Sequence, residues 1–149
     1  MTIEFLSHIG EELAVELSLI HMAAFPEKQG WKGRDIHELL EISFHHLVVD
    51  YDASNQVNGF LLYSLILDEA EILTFCVDPV KQHQGVGTTL LNVFFTNMRE
   101  KQVKIVLLDV AENNLAAVNL YYRLGFSLNG RRSNYYENKI DALLMSVSL

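Results

Sequence analysis

Ile72-Leu-Thr-Phe-Cys-Val-Asp-Pro-Val-Lys-Gln-His-Gln-Gly-Val-Gly87 reads as a buried strand, a turn and the opening of a helix. Ile72 to Val77 is a near-continuous apolar run ended by Asp78-Pro79, the pattern of a strand covered on both faces, as parallel strands are. From Val86 the apolar residues fall at Leu90, Leu91, Phe94, Phe95 and Met98, which is a helical period. A second apolar run, Val103 to Val110, follows. Parallel strands need a crossover of about a dozen residues or more, so strand, helix and strand make one right-handed βαβ unit.

Working outward, Leu115 to Leu124 is a short helix closed by Gly125 as a left-handed C-cap, and Phe126 to Arg131 and Ala142 to Val147 supply two final strands. On the other side, Thr2 to Leu6 reads as a strand, and Glu11 to Phe25 as an amphipathic helix with Leu13, Leu17, Ile20 and Ala24 on one face, stopped by Pro26. Glu27 to Gly33, with Trp31, reads as a loop; Asp35 is the expected N-cap of a helix over Ile36 to Ile42. His45 to Tyr51 and Val57 to Leu67, separated by Asp52-Ala-Ser-Asn-Gln56, have the signature of a hairpin. The expectation is an α/β fold with a mixed, twisted sheet, and no internal repeat or linker interrupts it.

The 149 residues are half hydrophobic and 20% charged, with 8 Gly and 2 Pro. That composition excludes a disordered or collagenous chain, and the length suits a single domain over 1–149. The net charge of −8 repels phosphate backbones and anionic lipid and favours a cationic substrate, so neither nucleic acid nor membrane is expected as a partner. Cys76 is the single cysteine and has no disulfide partner within the chain. With no basic, apolar leader at the N-terminus, the sequence reads as cytoplasmic.

The chemistry concentrates at Gln82-His-Gln-Gly-Val-Gly87. Glycines there let a ligand approach the backbone closely, and the free N–H groups of a helix N-terminus carry roughly half a positive charge. Such a site suits a pyrophosphate without many lysines; a plain glycine-rich turn is the alternative reading of the same six residues. A dinucleotide fold is disfavoured: Leu90 stands where the third glycine of G-x-G-x-x-G belongs, seven residues separate strand from glycines, and the chain is too short for six strands and a catalytic domain.

Gln82-x-x-Gly85-x-Gly87 resembles the Q/R-x-x-G-x-G/A acetyl-CoA motif of the GNAT family of acyl-CoA N-acyltransferases. Val77-Asp-Pro79 precedes it as in that family, and Asn114-x-x-Ala117-x-x-Leu120-Tyr-Tyr-Arg-Leu-Gly-Phe126 is similar to the family's later block. Arg131-Arg-Ser-Asn-Tyr-Tyr136, Asp141-Ala142, Met145, Ala24-Phe25-Pro26 and Leu67-Asp-Glu-Ala70 resemble the ribosomal-protein alanine N-acetyltransferases within it. The resemblance implies a sheet splayed between its two parallel strands, with acetyl-CoA in the opening. Phe75, Cys76 and Val77 would then pair with the pantetheine arm. Gln82, His83, Gln84, Gly85, Val86, Gly87 and Thr88 would wrap the pyrophosphate, and Asn114 would contact the cofactor.

The same resemblance implies Asp109 as general base and Tyr121 as general acid. Asp109 stands where those enzymes usually have Glu, one methylene longer, which favours a relay through water. The residues themselves leave two readings of each. Asp109 is the only charge in the apolar run Ile105 to Val110, at the carboxyl end of a parallel strand where α/β ligands sit; it could instead cap the Asn113 to Ala116 turn. Tyr121 follows Asn114 by seven residues, close to two helical turns, so both point to one side; it could instead pack with Ala117, Leu120 and Leu124.

No metal is expected. His37-Glu-Leu-Leu-Glu41 lacks the second His of H-E-x-x-H, and His45 and His46 are adjacent on a strand and face opposite sides. Cys76 reads as a small hydrophobe, and Trp31, Tyr135 and Tyr136 either line a peptide entrance or pack as aromatics. The function that follows from the resemblance is acetyl transfer from acetyl-CoA to a primary amine, foremost the N-terminal amine of a protein such as a ribosomal protein. A polyamine or aminoglycoside acetyltransferase and a non-catalytic acyl-CoA sensor are the alternatives.

Overall fold

A computed structural model of the chain describes residues 2–25, 33–136 and 139–149. Its elements, in chain order, are β1 (Thr2–Leu6), α1 (Glu11–Ala24), α2 (Gly33–Leu40), β2 (His45–Tyr51), β3 (Val57–Ile66), β4 (Glu69–Val77), α3 (Val86–Glu100), β5 (Ile105–Ala111), α4 (Leu115–Arg123), β6 (Ser127–Tyr136) and β7 (Ile140–Ser148). Seven strands form one sheet in the order β1-β2-β3-β4-β5-β7-β6, antiparallel throughout except for the parallel pair β4–β5 joined by α3.

Helices cover both faces of the sheet. On one, Leu90, Leu91, Phe94, Phe95 and Met98 of α3 and Val118 and Tyr121 of α4 pack on Val48, Leu61, Ala70, Ile72, Val106, Leu108 and Val110. On the other, Leu17 and Ile20 of α1 and Ile36 and Leu40 of α2 pack on Leu47, Val49, Phe60, Leu62 and Cys76. His21 is buried against this second face, where its Nε2 lies 2.9 Å from Thr74 Oγ1 and its ring stacks on Phe25; burial lowers its pKa to about 4.

Strand β4 contributes to both cores because it changes face partway. Its register with β3 shifts between Leu62↔Thr74 and Tyr63↔Ile72, leaving Leu73 as the extra residue of a bulge. Ala70 and Ile72 therefore join the α3 side, whereas Cys76 joins the α1 side. The β4–β5 ladder runs from Glu69↔Ile105 to Ile72↔Leu108 and stops there, one residue before the bulge. Beyond it Thr74 to Val77 pair with β3 alone, so the two parallel strands part.

The hairpin is tied off as its turn residues require: Asp52 Oδ1 accepts from Ser54 N (2.8 Å) and Gln56 N (3.0 Å). Three elements differ most from the sequence reading. Helix α2 begins at Gly33, so Asp35 lies in its first turn rather than at its N-cap, and it ends at Leu40 instead of Ile42. Strand β4 begins at Glu69, three residues before its apolar run, because pairing with β3 and β5 tolerates charge on the half-covered face. Strand β6 continues past Arg131 to Tyr136, held by β7 through two register shifts. The loop expected over Glu27 to Gly33, with Trp31, and the stop at Pro26 lie outside the described residues except at Gly33, where α2 begins.

Gly59 marks the close approach of β3 to the parted end of β4: a Cβ there would stand 2.8 Å from the carbonyl oxygen of Cys76. Gly59→Ala should therefore cost about 1–3 kcal/mol through forced backbone movement, a fall of roughly 2–4 °C in Tm per kcal/mol, read by thermal unfolding. An unchanged Tm would mean that the strands separate there without cost.

Candidate active site

Between the parted strands, Phe75 and Val77 face the α3/α4 side, where a Cβ on Gly87 would meet Phe75 Cζ at 3.2 Å and Val77 Cγ2 at 3.6 Å. Gly87 is thus a packing glycine, letting α3 sit close on β4. Gly85 does something else. It is the N-cap of α3 at φ +83°, and a Cβ there would meet nothing within 4 Å. Since Thr89 N makes the first helical bond, to Gly85 O, the N–H groups of Val86, Gly87 and Thr88 have no intrahelical partner and no side-chain cap. The space beside Gly85 at this helix end is empty, so an anion could approach the backbone there.

The loop before them is exposed at Gln82, His83 and Gln84, and His83 adopts φ +63°. Gln82 Nε2 approaches Val77 O at 3.4 Å, drawing the loop toward the end of β4. Asp78 Oδ1 accepts from Val80 N at 3.1 Å and caps the 3-10 turn Pro79–Lys81 between strand and loop. Cys76 is buried on the α1 side, where burial pushes its thiol pKa up and removes it as a nucleophile.

Asp109 lies on β5 one residue past the last β4–β5 pair, between Leu108 and Val110, which both face α3 and α4. Its carboxylate accordingly projects to the α1/α2 face, partly exposed, with Oδ2 3.9 Å from Arg132 Nη1 of β6. The turn-capping role belongs to Asn114, whose Oδ1 accepts from Ala117 N at 3.3 Å at the start of α4. Tyr121, 5% exposed, packs on the opposite side of the gap against Phe126 (ring centroids 5.4 Å) and Phe75 (6.3 Å), and burial raises its phenol pKa. The two carried-over residues thus flank the gap from its two faces.

Sequence reasoning singled out Tyr135 and Tyr136 for a peptide entrance but did not connect them, Arg132 or Glu71 with Asp109. Arg132 also lies over the Tyr135 ring at 5.3 Å, and Tyr136 is half-buried with its pKa pushed up to about 12, first by burial and then by the charge of Asp109. Glu71 of β4 has its pKa raised, first by partial desolvation and then by Asp109. The tyrosines were visible in the sequence as aromatics; Glu71 was hidden because it precedes the apolar run. Arg131, next to Arg132, bonds both Glu112 and Asp141 (Oδ2 at 3.2 Å), and Asp141 Oδ1 accepts from Asn134 N (2.9 Å), fixing β6 over the end of β5. His45 Nδ1 bonds Leu39 O (2.9 Å) while His46 Nδ1 meets Ser7 Oγ (3.1 Å), on opposite faces. Among the described residues no three His, Cys, Asp or Glu side chains converge as metal ligands would.

The family model of the Acetyltransferase (GNAT) family matches residues 11–126. The chain belongs to this family. An Escherichia coli K12 protein named [ribosomal protein bS18]-alanine N-acetyltransferase is 32% identical over 99 residues, which cover 64% of this chain and 67% of that one. The crystal structure of the ribosomal-protein-S18-alanine N-acetyltransferase from Escherichia coli superposes with TM-score 0.85 at 23% identity, over 99% of this chain and 94% of that one. The NatC complex bound to Gag peptide and CoA has TM-score 0.78 at 20% identity, over 100% and 99%. As a GNAT enzyme, the chain is an N-acetyltransferase that draws on acetyl-CoA.

Gly85→Ala tests the anion seat. The methyl group costs about 1–2 kcal/mol in the left-handed region and touches no other residue of the protein, so the chain should fold. Calorimetry should show CoA affinity reduced at least tenfold; unchanged affinity would remove the α3 N-terminus from the cofactor site.

Proposed function

We propose that this GNAT enzyme acetylates the N-terminal α-amine of a protein, of the ribosomal-protein alanine class, and that residues 1–149 work as one catalytic domain in the cytoplasm. The observation that carries the reading is the gap opened after Ile72 and Leu108, with Asp109 at its edge on an acidic face. The names of the relatives at about 32% identity support the acceptor class. The net charge of −8 supports it too, since it draws a basic polypeptide toward the cleft.

Acetyl-CoA supplies a thioester-activated acetyl group. Its pyrophosphate would lie on the N–H groups of Val86, Gly87 and Thr88, with Gln82, His83, Gln84 and Gly85 wrapping it. Asn114 would contact it from α4, and its arm would run along the unpaired edge of Phe75, Cys76 and Val77. On the acceptor side, Asp109 removes a proton from the amine directly or through a water, and a backbone N–H near Val77 stabilises the charge that develops on the carbonyl oxygen. On the thioester side, Tyr121 donates a proton to the leaving sulfur; its raised pKa keeps the phenol protonated across the physiological range. Tyr121→Phe should lower kcat by about 10² or more with a smaller change in KM, read by steady-state kinetics. A variant with near wild-type kcat would hand the acid role to water or another group.

The acceptor class follows from how much work the base must do. At pH 7 an α-amine of pKa near 7.8 is neutral in roughly one molecule in seven, and a lysine of pKa 10.4 in about one in 2,500. That difference amounts to about 3.5 kcal/mol. A short carboxylate suits the amine that is already partly deprotonated. Peptides beginning with free Ala or Ser followed by basic residues should therefore be acetylated at the α-amine, ahead of lysines in N-terminally blocked copies, as located by mass spectrometry. Acetyl groups on lysine, or faster turnover of spermidine than of any such peptide, would transfer the assignment to side-chain or small-molecule amines.

A further inference from the structure

Asp50 Oδ1 and Asn58 Oδ1 are buried without a hydrogen-bond partner, in residues 0% and 4% exposed. The same two side chains meet through one bond, in which Asn58 Nδ2 donates to Asp50 Oδ2 at 3.3 Å. Asn58 is the extra residue of a bulge, since Asp50 pairs with Gly59 and Tyr51 with Val57. Buried acceptors left unpaired are costly, and this couple holds two of them. One proton on Asp50 supplies what both lack. Its Oδ1–H can then donate to Asn58 Oδ1 while Nδ2 keeps its bond to Oδ2, the two-bond ring of a carboxylic acid and a primary amide.

The couple stands behind the cofactor loop. Ile3, Asp50, Gly59 and Val77 are paired in turn across β1, β2, β3 and β4, on the face that carries α3, and Val77 lies under Gly87 in the first turn of that helix. Asp50 and Val77 are thus two strand spacings apart, roughly 10 Å. Asn58 O accepts from Asp78 N at 2.7 Å, and Asp78 caps the turn that leads to Gln82. A second tie, Lys81 Nζ to Asp52 Oδ2 at 3.8 Å, joins the same hairpin to the same turn. The ionisable groups around Asp50 are Asp52 on the same chain stretch and the amino-terminal charge, while Glu4 of β1 pairs with Val49 and faces the other way. Strand β3 adds no charged residue, β4 adds none between Glu71 and Asp78, and α3 none before Arg99. Burial raises the pKa of Asp50 against the bond from Asn58 and the amino-terminal charge, and Asp52 adds to the rise.

We infer that Asp50 and Asn58 are a positioning pair for the cofactor loop, closed by a proton on Asp50 and tightest when the loop holds its anion. The inference rests on the reading that the loop at 82–88 seats acetyl-CoA. With the proton in place both side chains are satisfied, Asn58 is fixed, and its carbonyl holds Asp78 at the start of the loop. No charge on that row then opposes the pyrophosphate. Without the proton the two oxygens lose their bond, and a buried negative charge shares the face of the anion seat. Proton and cofactor therefore favour each other's binding, and by linkage CoA draws a proton onto Asp50.

The test compares Asp50→Asn, which makes the same two bonds as facing amides and cannot ionise, with Asp50→Leu, which is neutral but cannot close the ring. A carboxyl whose folded pKa lies above its unfolded value gives stability at low pH that is lost as pH rises through the folded value. The Tm of Asp50→Asn should therefore exceed that of wild type by a margin that grows from about pH 4.5 to 8, and Asp50→Leu should show no such gain. Calorimetry with CoA is read as the ratio of variant to wild type at each pH, so that the ionisation of CoA itself cancels. Asp50→Asn should match wild type at the acid end and bind CoA roughly three- to tenfold more tightly at the other. In carbon-13 NMR the Asp50 carboxyl, assigned by its loss in Asp50→Asn, should titrate with a midpoint that moves up when CoA is added. That midpoint is read whatever Gly85→Ala shows, so failure of the loop reading appears as unchanged CoA affinity in Gly85→Ala, and failure of the inference as an Asp50 midpoint that CoA does not move. A ratio that stays flat with pH, or Asp50→Leu as stable as Asp50→Asn, would equally overturn it.

Discussion

The β4–β5 ladder ends at Ile72↔Leu108, and the site depends on that ending. Parallel strands linked by a crossover helix ordinarily continue in register, so something must pull them apart. The bulge at Leu73 does this by giving β4 one residue more than β3 opposes, which turns the strand over and sends Cys76 to the α1 core while Phe75 meets Tyr121 on the other side. His21 holds the turned segment through Thr74, the residue after the bulge. Four residue pairs of parallel ladder thus fix the strands at one end while the other end stays open. A polar backbone edge left unpaired inside a domain is costly unless something bonds to it, which makes the edge a place for an extended ligand.

An acidic protein that must hold an anion has to find positive potential somewhere other than in lysines. The uncapped N-terminus of α3 offers such potential. Gly85 provides the left-handed turn and clear space in front of α3; Gly87 provides the close contact that anchors the same helix turn on Phe75, Val77 and Leu120. The two glycines, only two residues apart, answer different demands. Lys81, the nearest cation in sequence, is engaged with Asp52 at 3.8 Å. Positive potential at the start of α3 is compatible with a net charge of −8, because fixed peptide dipoles act only at short range while the net charge acts at long range.

Much of this was legible in the sequence. The βαβ unit followed from two apolar runs and a helical period between them, and the glycine loop, Asp109 and Tyr121 were singled out by position and by motif. What the sequence did not carry was everything set by pairing across strands. No pattern within β4 announces that Leu73 is a bulge, since an extra residue is defined only against its partner on β3. Glu71 and Asp109 are far apart in the chain and look unrelated until the register of β4 on β5 places them on one face. Asp35 shows the opposite limit, where a good local N-cap signal is overridden and the helix starts at Gly33, three residues before Ile36.

Arg132 illustrates how an exposed ion pair can matter without contributing much stability. At 3.9 Å and half in solvent, its pairing with Asp109 is worth little to the fold. Its position, however, is prepared: Arg131 is clasped between Glu112 and Asp141, and Asp141 also holds Asn134, so the β6–β7 hairpin is fixed where Arg132 must stand. A cation at that place works against the desolvation and the Asp109 charge that raise the pKa of Glu71. The surroundings of Asp109 beside the gap between β4 and β5 are therefore set by the β6–β7 hairpin at the edge of the sheet, two strands away from β4.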